Sequence, residues 1–149
     1  MGNETPAKAY ERILAIVDLT ADSESVLARA AEVTRSRAGL LSVLHVVEYM
    51  PIEPLSDSLV PVVQIDEKLL ERARVQLQEL AARHGVAAAQ CQVSSGNIKT
   101  EVLRVARAWS PDLIVLGSRA RHGLSILINL TEDTVLHAAP CDVLAVRVR

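Results

Sequence analysis

The sequence predicts one α/β domain: a doubly wound sheet of five parallel strands with about four helices. Three observations carry this expectation. Apolar runs of strand length alternate with amphipathic segments along the whole chain, which is the pattern of right-handed strand-helix-strand units. The first two runs, residues 13–18 and 40–48, are apolar at most positions, as strands buried on both faces are. The 149 residues suit one domain, long enough to bury roughly 70% of the surface its unfolded form exposes. Half the residues are hydrophobic, yet Phe is absent and Trp109, Tyr10 and Tyr49 are the whole aromatic set. The core is therefore expected to be Val, Leu, Ile and Ala.

The elements follow in order. "ILAIVD", residues 13–18, and "LLSVLHVVE", residues 40–48, read as the first two strands. Between them Val26, Leu27, Ala30, Ala31 and Val33 share a helical face that starts near Asp22 and stops at Gly39. Residues 49–65 carry three prolines, a connection longer than the usual ~4 to 6 residues and a candidate lid. From Asp66, the residues Leu69, Leu70, Ala73, Leu77, Leu80 and Ala81 line one face of a helix ending at His84 and Gly85. "AQCQVSSG" is the third strand, with Ser94 and Ser95 read as turn formers. Asn97 caps a helix with an Ile98, Val102, Val105 and Ala106 face, and Pro111 blocks its continuation. "DLIVLGS" and "CDVLAVRV" are the last two strands, joined through a short helix over "EDTVLHAA".

Composition narrows the functions. A net charge of -2 with both signs interspersed supplies no basic field for nucleic acid or anionic membrane. The segment "MGNETPAKAY" reads as a flexible leader, residues 1–10 of a single domain over 1–149. With no signal-like or membrane-spanning apolar run, a cytoplasmic protein without membrane insertion is expected. Cys91 and Cys141 stand far apart and read as buried thiols. No His, Cys, Asp or Glu cluster has metal-ligand spacing.

A doubly wound sheet binds ligands beyond the C-terminal ends of its strands, where strand order reverses. Those ends supply Asp18, His45 to Glu48, Ser94 to Gly96, and Gly117 to Arg119. His45 reads as a histidine satisfied by a local hydrogen bond. Asp18 reads as a turn or cap residue, or as a ligand-facing carboxylate. Asp18 and Glu48 could pair as two carboxylates, but no nucleophile or metal ligand accompanies them, and no catalytic residue is assigned.

Taken together, "RILAIVDLTADSESVLARA", "LLSVLHVVE", "SSGNIKTEVLRVARAWSPDLIVLGSRARHGLS" and "VLHAAPCDVLAVRV" resemble, in order and spacing, the universal stress protein family in its single-domain bacterial form. The resemblance implies a Rossmann-like fold, a stress-induced protein and a homodimer, with no settled enzymatic reaction. In the family's ATP-binding branch it implies an adenine-nucleotide site: Asp18 matches the ribose carboxylate, Val46 the adenine-side position, and Gly117 the first glycine of a phosphate-binding Gly-x-x-Gly turn. Arg119, Ala120, His122 and Gly123 belong to the loop that follows. Ala120 stands at the second glycine, Asn129 and Leu130 at a Gly-Ser pair, and Thr131 fits the position after it.

Ala120 adds a Cβ where a phosphate approaches or where the backbone turns left-handed, at about 1–2 kcal/mol in the latter case. Asn129 is milder, because Asn tolerates left-handed backbone. Leu130 removes a hydroxyl and with it a charge-assisted hydrogen bond of about 1.5–3 kcal/mol. Arg119 and His122 read equally as substitute phosphate partners and as solvated loop residues; Arg121 reads as solvated. The expected function is a stress-response binding protein with an impaired ATP or AMP site. The alternatives are a partner-binding module that has lost its nucleotide, and a weak hydrolase using Asp18 or Glu48. The strand Val143 to Val148 is the expected homodimer edge.

Overall fold

The computed structural model describes residues 10–35, 39–48, 67–119 and 130–148. The proline-rich lid candidate and the loop residues 120–129 lie outside them. The strands are β1 (Arg12–Ile16), β2 (Leu40–Glu48), β3 (Cys91–Gly96), β4 (Leu113–Arg119) and β5 (Asp142–Val148). The helices are α1 (Ser23–Arg35), α2 (Glu67–Arg83), α3 (Ile98–Trp109) and α4 (Leu130–Ala138). All strand pairs are parallel, in the order β3-β2-β1-β4-β5. This is the five-stranded α/β architecture expected.

Two apolar layers sandwich the sheet. On one face Val26, Leu27, Ala30 and Ala31 of α1 and Leu77, Leu80 and Ala81 of α2 pack on Ile13, Ala15, Val43 and Val115. On the other, Val102, Val105 and Ala106 of α3 and Val135 of α4 pack on Leu14, Leu44, Ile114 and Leu116. The alternation along β1, β2 and β4 thus feeds both layers, which is why those strands read as nearly unbroken apolar runs.

Helix ends follow local chemistry. Asn97 Oδ1 accepts the Thr100 N–H at 3.1 Å, capping α3. After α2, Gly85 takes φ 73°, and the Val86 N–H reaches back to the Ala81 carbonyl at 2.9 Å, a Schellman ending that glycine makes possible. At the N-terminal ends of the strands, Asp112 accepts the backbone N–H groups of Glu11 and Arg12, and the Arg12 guanidinium lies 4.3 Å from the Trp109 ring centre.

Several boundaries differ from expectation. Residues 88–90 form a short 3-10 turn, so β3 begins at Cys91, and Ser94 and Ser95 lie inside the strand rather than in a turn. Leu69 is 49% exposed, because the first turn of α2 lies outside the face that Ala73, Leu77, Leu80 and Ala81 press on the sheet. Cys91 and Cys141 are partly accessible, not buried; such burial as Cys91 has pushes its thiol pKa up. Tyr10, read as the end of the leader, packs against the core and donates its hydroxyl to Asp142 at 3.0 Å. Helix α4 starts two residues before the expected "EDTVLHAA".

Candidate functional site

From β1 the chain steps outward to β2 and β3, and from β4 outward the other way to β5, so strand order reverses between β1 and β4. Beyond the C-terminal ends of those strands lies a cavity of about 340 Å³, a size suited to a small ligand. Ile16 and Val17 come from the end of β1, Val46 from β2, and Leu116 and Gly117 from β4. Ile98, Val102 and Val135 wall it from α3 and α4; Val26 and Val148 close the opposite side. Its polar lining is Asp18, Asp22, Ser23 and His45.

Asp18 leaves β1 in a turn that is held by its own side chain. Its Oδ1 accepts the Thr20 N–H at 3.0 Å, the Thr20 hydroxyl at 2.6 Å and the Ser23 hydroxyl at 2.8 Å. Ser23 is buried at the start of α1, so this carboxylate satisfies a hydroxyl that water does not reach. Leu19 between them adopts φ 60°, a left-handed conformation costing about 1–2 kcal/mol that these bonds offset. The turn-forming reading of Asp18 is therefore realised, and the same residue lines the cavity.

His45 places Nδ1 2.9 Å from the Val17 carbonyl oxygen. The local hydrogen bond expected of it is present, and it bridges the ends of β1 and β2. Val46, the next residue, is buried in the α3 layer. Glu48 ends β2 opposite Gly96 and does not line the cavity.

Gly117 lies within β4, paired with Val146, and the strand runs on through Ser118 and Arg119, one residue further than expected. A Cβ on Gly117 would stand 3.2 Å from Val26 Cγ2 and 3.8 Å from both Val148 methyls. Its missing side chain is where α1 and β5 come together at the cavity wall.

Of the remaining expected site residues, Leu130 and Thr131 open α4 and Arg119 closes β4, so β4 ends and α4 begins on this side of the sheet. Ala120, His122, Gly123 and Asn129 lie outside the described residues. Among the described residues the cavity lining includes no Lys or Arg, and no group of three His, Cys, Asp or Glu could hold a metal ion. A separate ionic contact sits at the β3 edge: Arg104 bonds Glu101 at 2.7 Å and holds that carboxyl below the usual range.

Of the expected site residues, Asp18, Val46 and Gly117 line the cavity, and Ser23 and the apolar walls join them without having been expected there. The walls are ordinary core residues by pattern, and only their position over the β1/β4 crevice makes them a lining. No helix among the described residues is long and apolar enough to cross a membrane.

A family model for the "Universal stress protein family" matches residues 9–147. "Universal stress protein A homolog 1" of Coxiella burnetii is 37% identical over 138 residues, covering 92% of this chain and 96% of that protein. Among solved structures, "Universal stress protein UspA from Lactobacillus plantarum" superposes with a TM-score of 0.67 at 24% identity, covering 94% of this chain and 99% of that one. A universal stress protein in complex with cAMP superposes with a TM-score of 0.59 at 18% identity, covering 93% and 98%. These two structures agree with the fold.

Proposed function

Because the chain belongs to the universal stress protein family, we propose that it is a stress-response binding protein that holds an adenine nucleotide, ATP or AMP, and acts through binding rather than turnover. The observation that carries this reading is the cavity at the β1/β4 crevice, apolar on its walls with Asp18 and His45 among its polar groups. An apolar slot suits a base, and a carboxylate fixed by three hydrogen bonds suits ribose hydroxyls. A family relative described in complex with cAMP is in keeping with this ligand class.

The grip on terminal phosphates is weakened. Ala120 and Asn129, between β4 and α4, and Leu130, the first residue of α4, stand where the family's phosphate-binding pattern has two glycines and a hydroxyl, and the described lining offers no cation in their place. With an unmade charge-assisted bond alone worth about 1.5–3 kcal/mol, ATP affinity falls by ~10²-fold or more relative to an intact loop once the added Cβ is included. AMP loses less, having fewer phosphates to place. Arg119 and His122 are the residues available to compensate.

The same reading includes a cytoplasmic homodimer. Strand β5 is an edge of the sheet, and Val143, Leu144 and Val146 are only partly covered, so a second copy pairing along Val143 to Val148 would satisfy it. A monomeric mass in light scattering at tens of micromolar would remove the dimer.

The nucleotide reading is tested by denaturing protein purified from cells and identifying released nucleotide by mass spectrometry, with a thermal shift on added ATP and AMP. Stoichiometric adenine nucleotide, or protection by either compound, supports it. No released nucleotide together with no protection refutes it and leaves partner binding as the function of the fold.

A further inference from the structure

His45 offers the cavity a hydrogen-bonding atom that the fold does not use. The Val17 carbonyl has no proton to give, so the ring nitrogen 2.9 Å from it carries the hydrogen, and the neutral ring then has a bare lone pair on Nε2. No second hydrogen bond to this ring is formed among the described residues, and none of their buried side-chain nitrogens or oxygens lacks a partner. Nε2 is therefore reached by solvent, on a residue that lines the cavity. The Ser23 hydroxyl, by contrast, is buried and already committed to Asp18.

We propose that His45 determines specificity in this site: Nε2 accepts a hydrogen bond from a ribose hydroxyl, beside the Asp18 carboxylate, so that the described half of the cavity recognises the ribonucleoside part of its ligand. The proposal rests on the nucleotide reading above. The backbone anchor at Val17 fixes both the tautomer and the ring's position, so the acceptor is in place before the ligand arrives and loses little entropy on binding. A ligand lacking the hydroxyl leaves Nε2 facing an apolar edge, which is the side of hydrogen bonding that discriminates most.

The test is a cycle of two proteins and two probes, wild type and His45→Asn against ATP and 2′,3′-dideoxy-ATP, by calorimetric titration. The shorter amide keeps a donor for the Val17 carbonyl and deletes Nε2. The variant is expected to lose ~5- to 10-fold in ATP affinity while binding of the dideoxy probe is unchanged. Equal loss with both probes, or no loss with either, overturns the role of His45 and leaves the nucleotide reading standing. A wild-type protein that binds neither ATP nor adenosine overturns both. Nitrogen-15 histidine spectra of the wild type give a check that requires no variant: the four histidines should include one Nδ1–H tautomer whose Nε2 resonance moves when adenosine is added. An Nε2–H tautomer at His45, or an Nε2 resonance that stays still at saturation, refutes the assignment.

Discussion

Replacing Gly117 with alanine separates two reasons for a glycine at the cavity wall. Its backbone is not in the positive-φ region, so alanine costs nothing in conformation and the effect is steric. The new Cβ stands 3.2 Å from Val26 Cγ2, tight enough that the methyl must yield by a few tenths of an ångström. Val26 is 3% exposed and Val148 5%, and a β-branched side chain on a helix has one strongly preferred rotamer. Relief therefore has to come from α1 moving off the sheet.

Overpacking of this kind costs about 1–3 kcal/mol. Each kcal/mol lowers Tm by roughly 2–4 °C in a domain near this size. Val26→Ala removes the methyl that the new Cβ meets, at a cost of its own of about 1.6 kcal/mol for two carbons. The double variant should then be less destabilised than the sum of the singles, by about 1 kcal/mol or more. Urea unfolding followed through the single Trp109 measures all four proteins. Strictly additive costs would refute the packing account. So would a Gly117→Ala protein of unchanged stability that no longer binds nucleotide, since the glycine would then serve ligand clearance.

Asp18→Ala strips one acceptor from three donors, including the buried Ser23 hydroxyl, and should cost about 1–3 kcal/mol in urea unfolding; Asp18→Asn, which keeps an oxygen there, should lose distinctly less, and equal losses would contradict the turn-holding role. Glu24 is held below its ordinary value of 4.5 by the hydrogen bond to His84 and then by Arg83. Because its folded pKa is the lower one, its stabilisation is present above the ordinary carboxylate range and disappears as pH falls through the folded value. Glu24→Gln should thus flatten the acid limb of stability, modestly since Glu24 is 46% exposed; urea midpoints between neutral pH and about pH 3 that run parallel to wild type would count against it. Arg12→Met removes the guanidinium from the Trp109 ring and from its carbonyl, with an expected loss of about 0.5–1 kcal/mol and a change in native fluorescence; an unaltered emission spectrum would place the ring contact in doubt.

The fold was legible because its periodicities are clean. Strand runs and the α1, α2 and α3 faces can be read from side-chain type alone, and the Asn97 cap and Gly85 ending are local chemistry. Leu69 misled because periodicity extends past the point where a helix leaves its sheet. Residues 88–90 misled because a 3-10 turn and a strand start look alike in a run of small residues. In the site, the place of Asp18 after a strand could be read from sequence, but the three donors its carboxylate accepts and its position in the cavity lining depend on how the turn folds back on α1. The contact of His45 is with a backbone carbonyl, which no side-chain pattern encodes. The packing at Gly117 depends on residues 91 positions before it and 31 after it, and sequence windows do not reach that far.

The sheet is joined most thinly where the crevice opens. The β1–β4 ladder has three register pairs, Ile13–Leu113 to Ala15–Val115, against five between β1 and β2, six between β2 and β3 and seven between β4 and β5. The molecule is thus two sheet halves with a short seam, pinned by Asp112 at its closed end and diverging into the cavity at the other. A molecule lodged there touches β1, β2, β4, α3 and α4 at once and bridges both halves. Occupancy and cohesion are then one quantity: filling the crevice slows opening along the seam, amide exchange at Leu14 and Ile114 reports whether it is filled, and a protein bound to its ligand is a stiffer object for any partner that senses it.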